Sequence, residues 1–180
     1  MRVIAGSARR TTLVTPEGVN TRPTADRIKE NLFNIIFHHV ADAIFLDLFC
    51  GSGAIGIEAL SRGAARAVFV DSSKEAIQAT RTNLARTKFK NQAKVYQMII
   101  PTLDWLGEER FDIIFMDPPY ESVYLLQALA MIGQGKILSD DGILVAECAV
   151  GEIAPKVDGL VLKDIRKYGS TQLLFYIREI

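Results

Sequence analysis

The stretch AIFLDLFCGSGAIGIEALSRGA, residues 43–64, decides the fold. Its first seven residues, AIFLDLF (43–49), form a short apolar run with a single acid, Asp47, and read as a buried strand. Gly51, Gly53 and Gly56 follow, and AIGIEALSRG then reads as a helix closed by Gly63. Glycines at such a junction let the backbone approach a ligand closely, while the helix start offers free N–H groups. Twenty residues past Gly51 stands Asp71, at the end of the next apolar run, RAVFVD (66–71). A carboxylate in that position can accept both hydroxyls of a ribose. The glycine spacing alone is a weak signal, but strand before, helix after and acid beyond together point to a nucleoside site.

Working outward, strand and helix patterns keep alternating. Ser72 and Glu75 have the spacing of a capping box and open a helix that runs to about Arg86. AKVYQMI (93–99), FDIIFMD (111–117) and GILVAEC (142–148) read as further strands, with a helix over ESVYLLQALAMIG between the last two. LVLKDIRKYGSTQLLFYIRE reads as two strands joined through Tyr168-Gly169-Ser170, too close together for a crossover helix. On the N-terminal side, Thr24 is a candidate N-cap for a helix from about Ala25 to His38. PEGVNTRPT is turn-rich, and MRVIAGSARRTTLVT reads as a small hairpin or extended arm. The expected architecture is therefore α/β: a doubly wound, mostly parallel Rossmann-like sheet with an antiparallel C-terminal hairpin. Residues 1–23 would form a β arm and loop, and residues 24–180 one domain.

Composition excludes several classes. The chain has 180 residues, 49% hydrophobic and 23% charged, which is ordinary for globular proteins and unlike a disordered or collagenous chain. No apolar run approaches the ~18 residues of a membrane span, and MRVIAGSARR lacks the apolar core of an export signal. A cytoplasmic location is expected, with Cys50 and Cys148 as buried thiols rather than a bridge. His38 and His39 have no Cys/His partners at ligand spacing, so no metal is expected. The zero net charge hides polarity. Residues 1–30 carry six Lys/Arg against three acids and residues 61–94 eight against two, while residues 95–160 carry three against eleven. A basic face for a polyanion is compatible with that distribution.

Asp47 discriminates between nucleoside cofactors. An acid four positions before Gly51 repels a pyrophosphate but pairs with an amino group, which favours S-adenosyl-L-methionine over NAD. FDIIFMDPPY (111–120) then supplies chemistry. A buried strand ends at Asp117, and Pro118 and Pro119 stiffen the turn and leave their carbonyls without competing N–H groups. The lone pair of an exocyclic base nitrogen is delocalised into the ring. Asp117 and the Pro118 carbonyl can accept its hydrogens and aim it at a sulfonium methyl, while Tyr120 stacks on the base. Methyl transfer by in-line displacement needs positioning more than a strong base.

MRVIAG, RPTADRIKENLFNII, DLFCGSGAIGIEALSRGA, DPPY and YGSTQLLFY occur in this order and spacing across essentially the whole chain. In them the sequence resembles the RsmD family of bacterial 16S ribosomal RNA guanine-N2 methyltransferases. The resemblance implies a seven-stranded sheet, S-adenosyl-L-methionine as donor with S-adenosyl-L-homocysteine as product, and a guanine of 16S rRNA, naked or in a small-subunit assembly particle, as acceptor. It also implies that Arg22, Pro23 and Thr24 form a lid over the cofactor. One departure stands out: where many relatives carry an acid near the adenine amine, this chain has Ile100, Pro101 and Thr102. The candidate cofactor set is Asp47, Gly51, Ser52, Gly53, Asp71, Ser72 and Thr24. The catalytic set is Asp117, Pro118, Pro119 and Tyr120. Arg9, Arg10, Arg22 and Arg27, with Arg2 and Lys29 beside them, are candidates to track RNA phosphates. A nucleic-acid adenine-N6 methyltransferase shares the Asp-Pro-Pro-Tyr turn, although one reading DNA sequence would normally need an added recognition domain, for which 180 residues leave almost no room. A glutamine methyltransferase would more typically carry Asn at 117. A non-catalytic RNA-binding assembly factor is the alternative from another class.

Overall fold

A computed structural model of the chain describes residues 1–16, 23–99, 109–119, 123–135 and 137–179. Seven strands form one sheet: β1 (Ile44–Leu48), β2 (Arg66–Asp71), β3 (Ala93–Gln97), β4 (Phe111–Met116), β5 (Leu138–Ala149), β6 (Leu160–Tyr168) and β7 (Thr171–Arg178). Their spatial order is β3-β2-β1-β4-β5-β7-β6. The first five run parallel, and β7 pairs antiparallel with both β5 and β6. The parallel sheet and its antiparallel C-terminal pair are as the sequence pattern leads one to expect.

The period-two geometry of strands explains the continuous apolar runs. Phe45, Phe69, Ile113, Phe115 and Val145 point to one side, where they pack with Leu32, Phe33, Ile57, Leu60 and Leu84. These come from helices α1 (Pro23–Ile35), α3 (Ala54–Ser61) and α4 (Lys74–Thr87). Leu46, Leu48, Val70, Ile114 and Leu144 point to the other side, against Leu125, Ala128, Leu129 and Ile132 of α5 (Tyr124–Gln134). Cys50 belongs to the first cluster and Cys148 to the second, and both thiols are free.

The arm is tied to the first layer. An isolated antiparallel bridge joins Arg2 and Thr12, and Val3 and Leu13 are buried in the α-helical cluster. The Ser7 amide donates to the Ser61 carbonyl at 2.8 Å. Gly6 adopts φ +80° and lies so close to that carbonyl that a Cβ would sit 1.7 Å from its oxygen, so only glycine fits there.

Four boundaries differ from the sequence reading. The first helix starts at Pro23, which suits proline because its missing N–H is not needed there, so Thr24 lies inside the helix and is not its cap. That helix also stops at Ile35; Ile36 leaves helical geometry, and a four-residue helix, α2 (Phe37–Val40), follows. Ser73, not Ser72, caps α4: its Oγ accepts from the Ala76 amide at 3.1 Å and donates to Glu75. β5 begins at Leu138 rather than Gly142, because its pairing with β4 shifts register between Leu138 and Ile143 and absorbs the turn-like SDDG inside a strand.

Candidate functional site

Strand order reverses between β1 and β4, since the connection from β1 leads to β2 on one side while β4 adds on the other. In an open parallel sheet the crevice outside the carboxyl ends at such a point is the natural ligand site. The structure brings Asp47, Asp71 and Asp117 to it. Asp47 and Phe115 are register partners on β1 and β4, and Asp47 and Phe69 on β1 and β2, so the three acids terminate neighbouring strands.

Asp47 is only 1% exposed, and its Oδ2 accepts the Gly56 amide at 2.9 Å, tying the strand to α3. Burial holds its carboxyl well above the usual carboxylate range. The Gly56 amide opposes that shift, and the charges of Asp71 and Asp117 reinforce it. Gly56 packs against the sheet so tightly that a Cβ would lie 2.4 Å from the Phe69 ring. At the end of β2, Asp71 Oδ2 accepts from the Gly51 amide and Oδ1 from the Ser73 amide, both at 2.9 Å. Two lone pairs on that carboxylate are left over, and both oxygens are held in place. Gly51 adopts φ +54°, and a Cβ there would meet nothing within 4 Å, so the turn presents bare backbone to open space.

Asp117 follows β4, with Pro118 buried and Pro119 exposed. Asp117 lines the crevice, and desolvation by the surrounding protein raises its pKa to about 6. A cleft of about 200 Å³ is lined by Asp47, Cys50, Gly51, Ser52 and Asp117, together with Met1, Lys29 and Glu147. It adjoins a second recess of about 340 Å³ formed by Phe49, Asp71, Ser72, Asp117, Pro118 and Pro119. A small apolar slot continues from there between Phe49, Met98, Ile99, Pro119 and Tyr124. Phe49 has φ +58°, uncommon for a non-glycine residue, and its ring meets Tyr124 at 6.2 Å between centroids.

The crevice therefore carries acids on three strand ends and a fourth, Glu147, on β5. Among the described residues the one cationic side chain lining it is that of Lys29, which is 1% exposed and engaged elsewhere. The ammonium donates to the Arg2 carbonyl at 2.6 Å and lies 3.6 Å from Glu58 and 3.9 Å from Asp26. Burial pulls its pKa down, and the two acids push it back up. The site suits a cationic ligand with vicinal hydroxyls and disfavours a phosphate.

Lys29 is thus a correction: it is a core residue and cannot track RNA phosphates. Arg9, Arg10 and Arg27 are exposed, with Arg9 and Arg10 on the arm and Arg27 on α1. Arg22, Tyr120 and residues 100–102 lie outside the described residues, as does the side chain of Thr24.

Several residues that shape the site carried no motif signal. Thr80 Oγ1 donates to the Gly51 carbonyl at 2.9 Å, and Asn83 Nδ2 donates to the Ser52 carbonyl at 2.9 Å. Spaced three apart on α4, they support the glycine turn from beneath. Glu58, fully buried, accepts from the Ile4 and Ala5 amides and from Arg62 Nε, and so fastens the arm to α3. Glu147 could have been suspected as the one acid in the apolar run GILVAEC (142–148). Glu58 and Asn83 sit in helices where polar residues are unremarkable.

Among the described residues no group of His, Cys, Asp and Glu could hold a metal ion, and no helix is long and apolar enough to cross a membrane.

A doubly wound sheet with this strand order is the fold of nucleoside-dependent methyltransferases, and solved structures of that class superpose on it. The Escherichia coli protein yhhF matches with a TM-score of 0.86 at 32% identity, covering 99% of this chain and 98% of that one. The family described as Conserved hypothetical protein 95 matches residues 1–177. YlbH of Bacillus subtilis is 38% identical over 180 residues, 98% of each chain. The protein named ribosomal RNA small subunit methyltransferase D in E. coli K12 is 34% identical over 157 residues, 87% of this chain and 79% of that one. The chain belongs to this family, the RsmD family.

Proposed function

We propose that this chain transfers a methyl group from S-adenosyl-L-methionine to the exocyclic N2 amine of a guanine in small-subunit (16S) ribosomal RNA. One observation carries the reading: Asp117, held by a diproline bend at the end of β4, faces the same crevice as Asp47 and Asp71 at the sheet's switch point. The names of the relatives supply the RNA class.

The residues present fit the cofactor. Asp71 keeps two lone pairs for the ribose hydroxyls, Gly51 leaves open backbone beside it, and Asp47 offers a buried carboxyl whose ionised form the cationic amino group would stabilise. The slot between Phe49, Met98 and Ile99 is flat and apolar enough for adenine, without requiring an acid on the strand-three loop. Ser52 and Ser72 complete the surface, Gly53 at φ +73° shapes the turn behind them, and Thr24 belongs to the same proposed cofactor set. When bound, the cofactor contributes an electrophilic sulfonium methyl.

The chain's own residues then position the acceptor. Asp117 and the Pro118 carbonyl accept the two N2 hydrogens, which turns the nitrogen lone pair toward the methyl. Pro119 keeps the bend rigid, and Tyr120 stacks on the extruded base. Ionised above about pH 6, Asp117 is a stronger proton acceptor than an ordinary carboxylate. It can take the proton that N2 loses once the N–C bond has formed and the S–C bond has broken. Arg9, Arg10, Arg22 and Arg27 hold phosphates around the target. Such work places the protein with ribosomal RNA in the cytoplasm.

The test is transfer of labelled methyl from the cofactor to 16S rRNA or assembly particles from cells lacking the gene, followed by nucleoside chromatography. Label in N2-methylguanosine supports the proposal. Label in N6-methyladenosine would establish the adenine alternative, and RNA binding without any label would make the chain a non-catalytic assembly factor.

A further inference from the structure

A second cavity lies away from the crevice. A groove of about 630 Å³ runs between α4 and β3, at the edge of the sheet. Gln78, Arg81, Thr82 and Ala85 form one stripe of α4 along it, and Lys90 closes its far end. The floor is apolar, from Leu84, Ala93 and Val95, and no lining residue is acidic. Arg81 and Lys90 are exposed, and among the described residues neither is held in an ion pair. Residues 74–94 carry six Lys/Arg against the single acid Glu75.

Position adds to charge. α4 starts at Lys74, three residues past Asp71 at the crevice, so Arg81 lies about 10 Å further along the helix axis. Arg86 Nη1 donates to the Thr12 carbonyl at 3.4 Å, which brings the end of α4 against the arm that carries Arg9 and Arg10. Two basic runs more than sixty residues apart in sequence thus share one helical layer.

We propose that this groove is a second docking surface for the substrate RNA, taking the sugar–phosphate backbone of nucleotides flanking the methylated base. Phosphates pair with Arg81 and Lys90, the Gln78 amide donates a hydrogen bond, the Thr82 hydroxyl, whose proton goes to the Gln78 carbonyl, accepts one from a ribose hydroxyl, and the apolar floor covers a sugar or base face. The proposal rests on the reading of the chain as an rRNA methyltransferase and adds where that RNA is gripped.

The experiment compares wild type, the double variant Arg81→Ala/Lys90→Ala, and Lys163→Ala/Lys167→Ala on β6 at the opposite edge. All four side chains are exposed, and thermal melts verify folding. Loss of two phosphate contacts should lower the salt slope of RNA binding by about 1.5 and raise KM for RNA by about tenfold. Cofactor Kd and kcat at saturating RNA should stay within about twofold, and the β6 variant should match wild type. An unchanged slope in the groove variant, or an equal drop in both, overturns the proposal while leaving the enzymatic reading intact. Wild type that neither binds nor methylates rRNA overturns both. A photoreactive side chain at Gln78 gives an independent readout on assembly particles: crosslinks to RNA support the groove, and crosslinks only to protein assign it to a protein partner instead.

Discussion

The Asn83 side chain donates to the Ser52 carbonyl at 2.9 Å, and the same amide exchanges two 2.8 Å hydrogen bonds with the backbone of Val14. One fully buried side chain thereby joins the glycine turn of the crevice to the end of the N-terminal arm. With all three bonds made, the group is satisfied; with any removed, a buried backbone partner is stranded, which costs about 1–3 kcal/mol each. Asn83→Leu should therefore lower stability by about 3 kcal/mol and weaken cofactor binding, measured by urea denaturation and calorimetry. Stability and cofactor affinity both equal to wild type would show that the turn holds its shape without this strut.

Glu58 makes a different kind of prediction, about the arm alone. It is buried with the ammonium of Lys29, the guanidinium of Arg62 and two arm amides around it. Removing one member of a buried charge cluster leaves the others uncompensated, typically at about 3–5 kcal/mol. Glu58→Ala should show that loss in denaturation and faster proteolysis of residues 1–16. A loss below about 1 kcal/mol would mean the arm is held by Val3 and Leu13 instead.

Asp117 ties pH to catalysis. Its pKa is raised by burial to about 6, so the carboxylate is the dominant form above that pH and the neutral acid below it. Only the carboxylate can accept both an amine hydrogen and the departing proton, so kcat/KM should fall on the acid side of about pH 6, roughly tenfold by pH 5. Asp117→Asn should abolish that limb and lower kcat by at least ~10², with cofactor Kd within a few fold. A limb unchanged in the variant would assign the ionisation to another group.

Arg9 and Arg10 stand exposed at the tip of the arm, and Arg10 has φ +72°. Reversing both charges should weaken RNA binding and flatten its salt dependence by about two contacts' worth without affecting cofactor Kd. A parental slope would make the tip a bystander.

Much of this was legible in the sequence. The alternation of apolar runs with helical patterns defines the sheet because strands buried on both faces have no polar alternation to hide them. Asp71 and Asp117 are visible because an acid at the end of an apolar run needs a reason to be there. What escaped notice depends on contacts far apart in the chain. Lys29 looks like a surface cation beside Arg27, and only the packing of α1 on the arm, with Glu58 twenty-nine residues on, buries it. Asn83 meets Val14 across sixty-nine residues, and no local pattern announces such a bond. The cap fell one residue out because adjacent serines are equivalent by composition; Ser73 has the backbone angles of a cap, while the Asp71 carboxylate fixes its amide. The start of β5 was hidden because a register shift makes a strand segment look like a turn.

The three-carboxylate crevice is most directly tested by a crystal structure with S-adenosyl-L-homocysteine bound. Both ribose hydroxyls should lie within hydrogen-bonding reach of the Asp71 carboxylate, about 2.7–3.2 Å, with the sulfur turned toward Asp117 and Pro118. A ligand bound outside this crevice, or one whose sulfur faces away from the diproline bend, would contradict it.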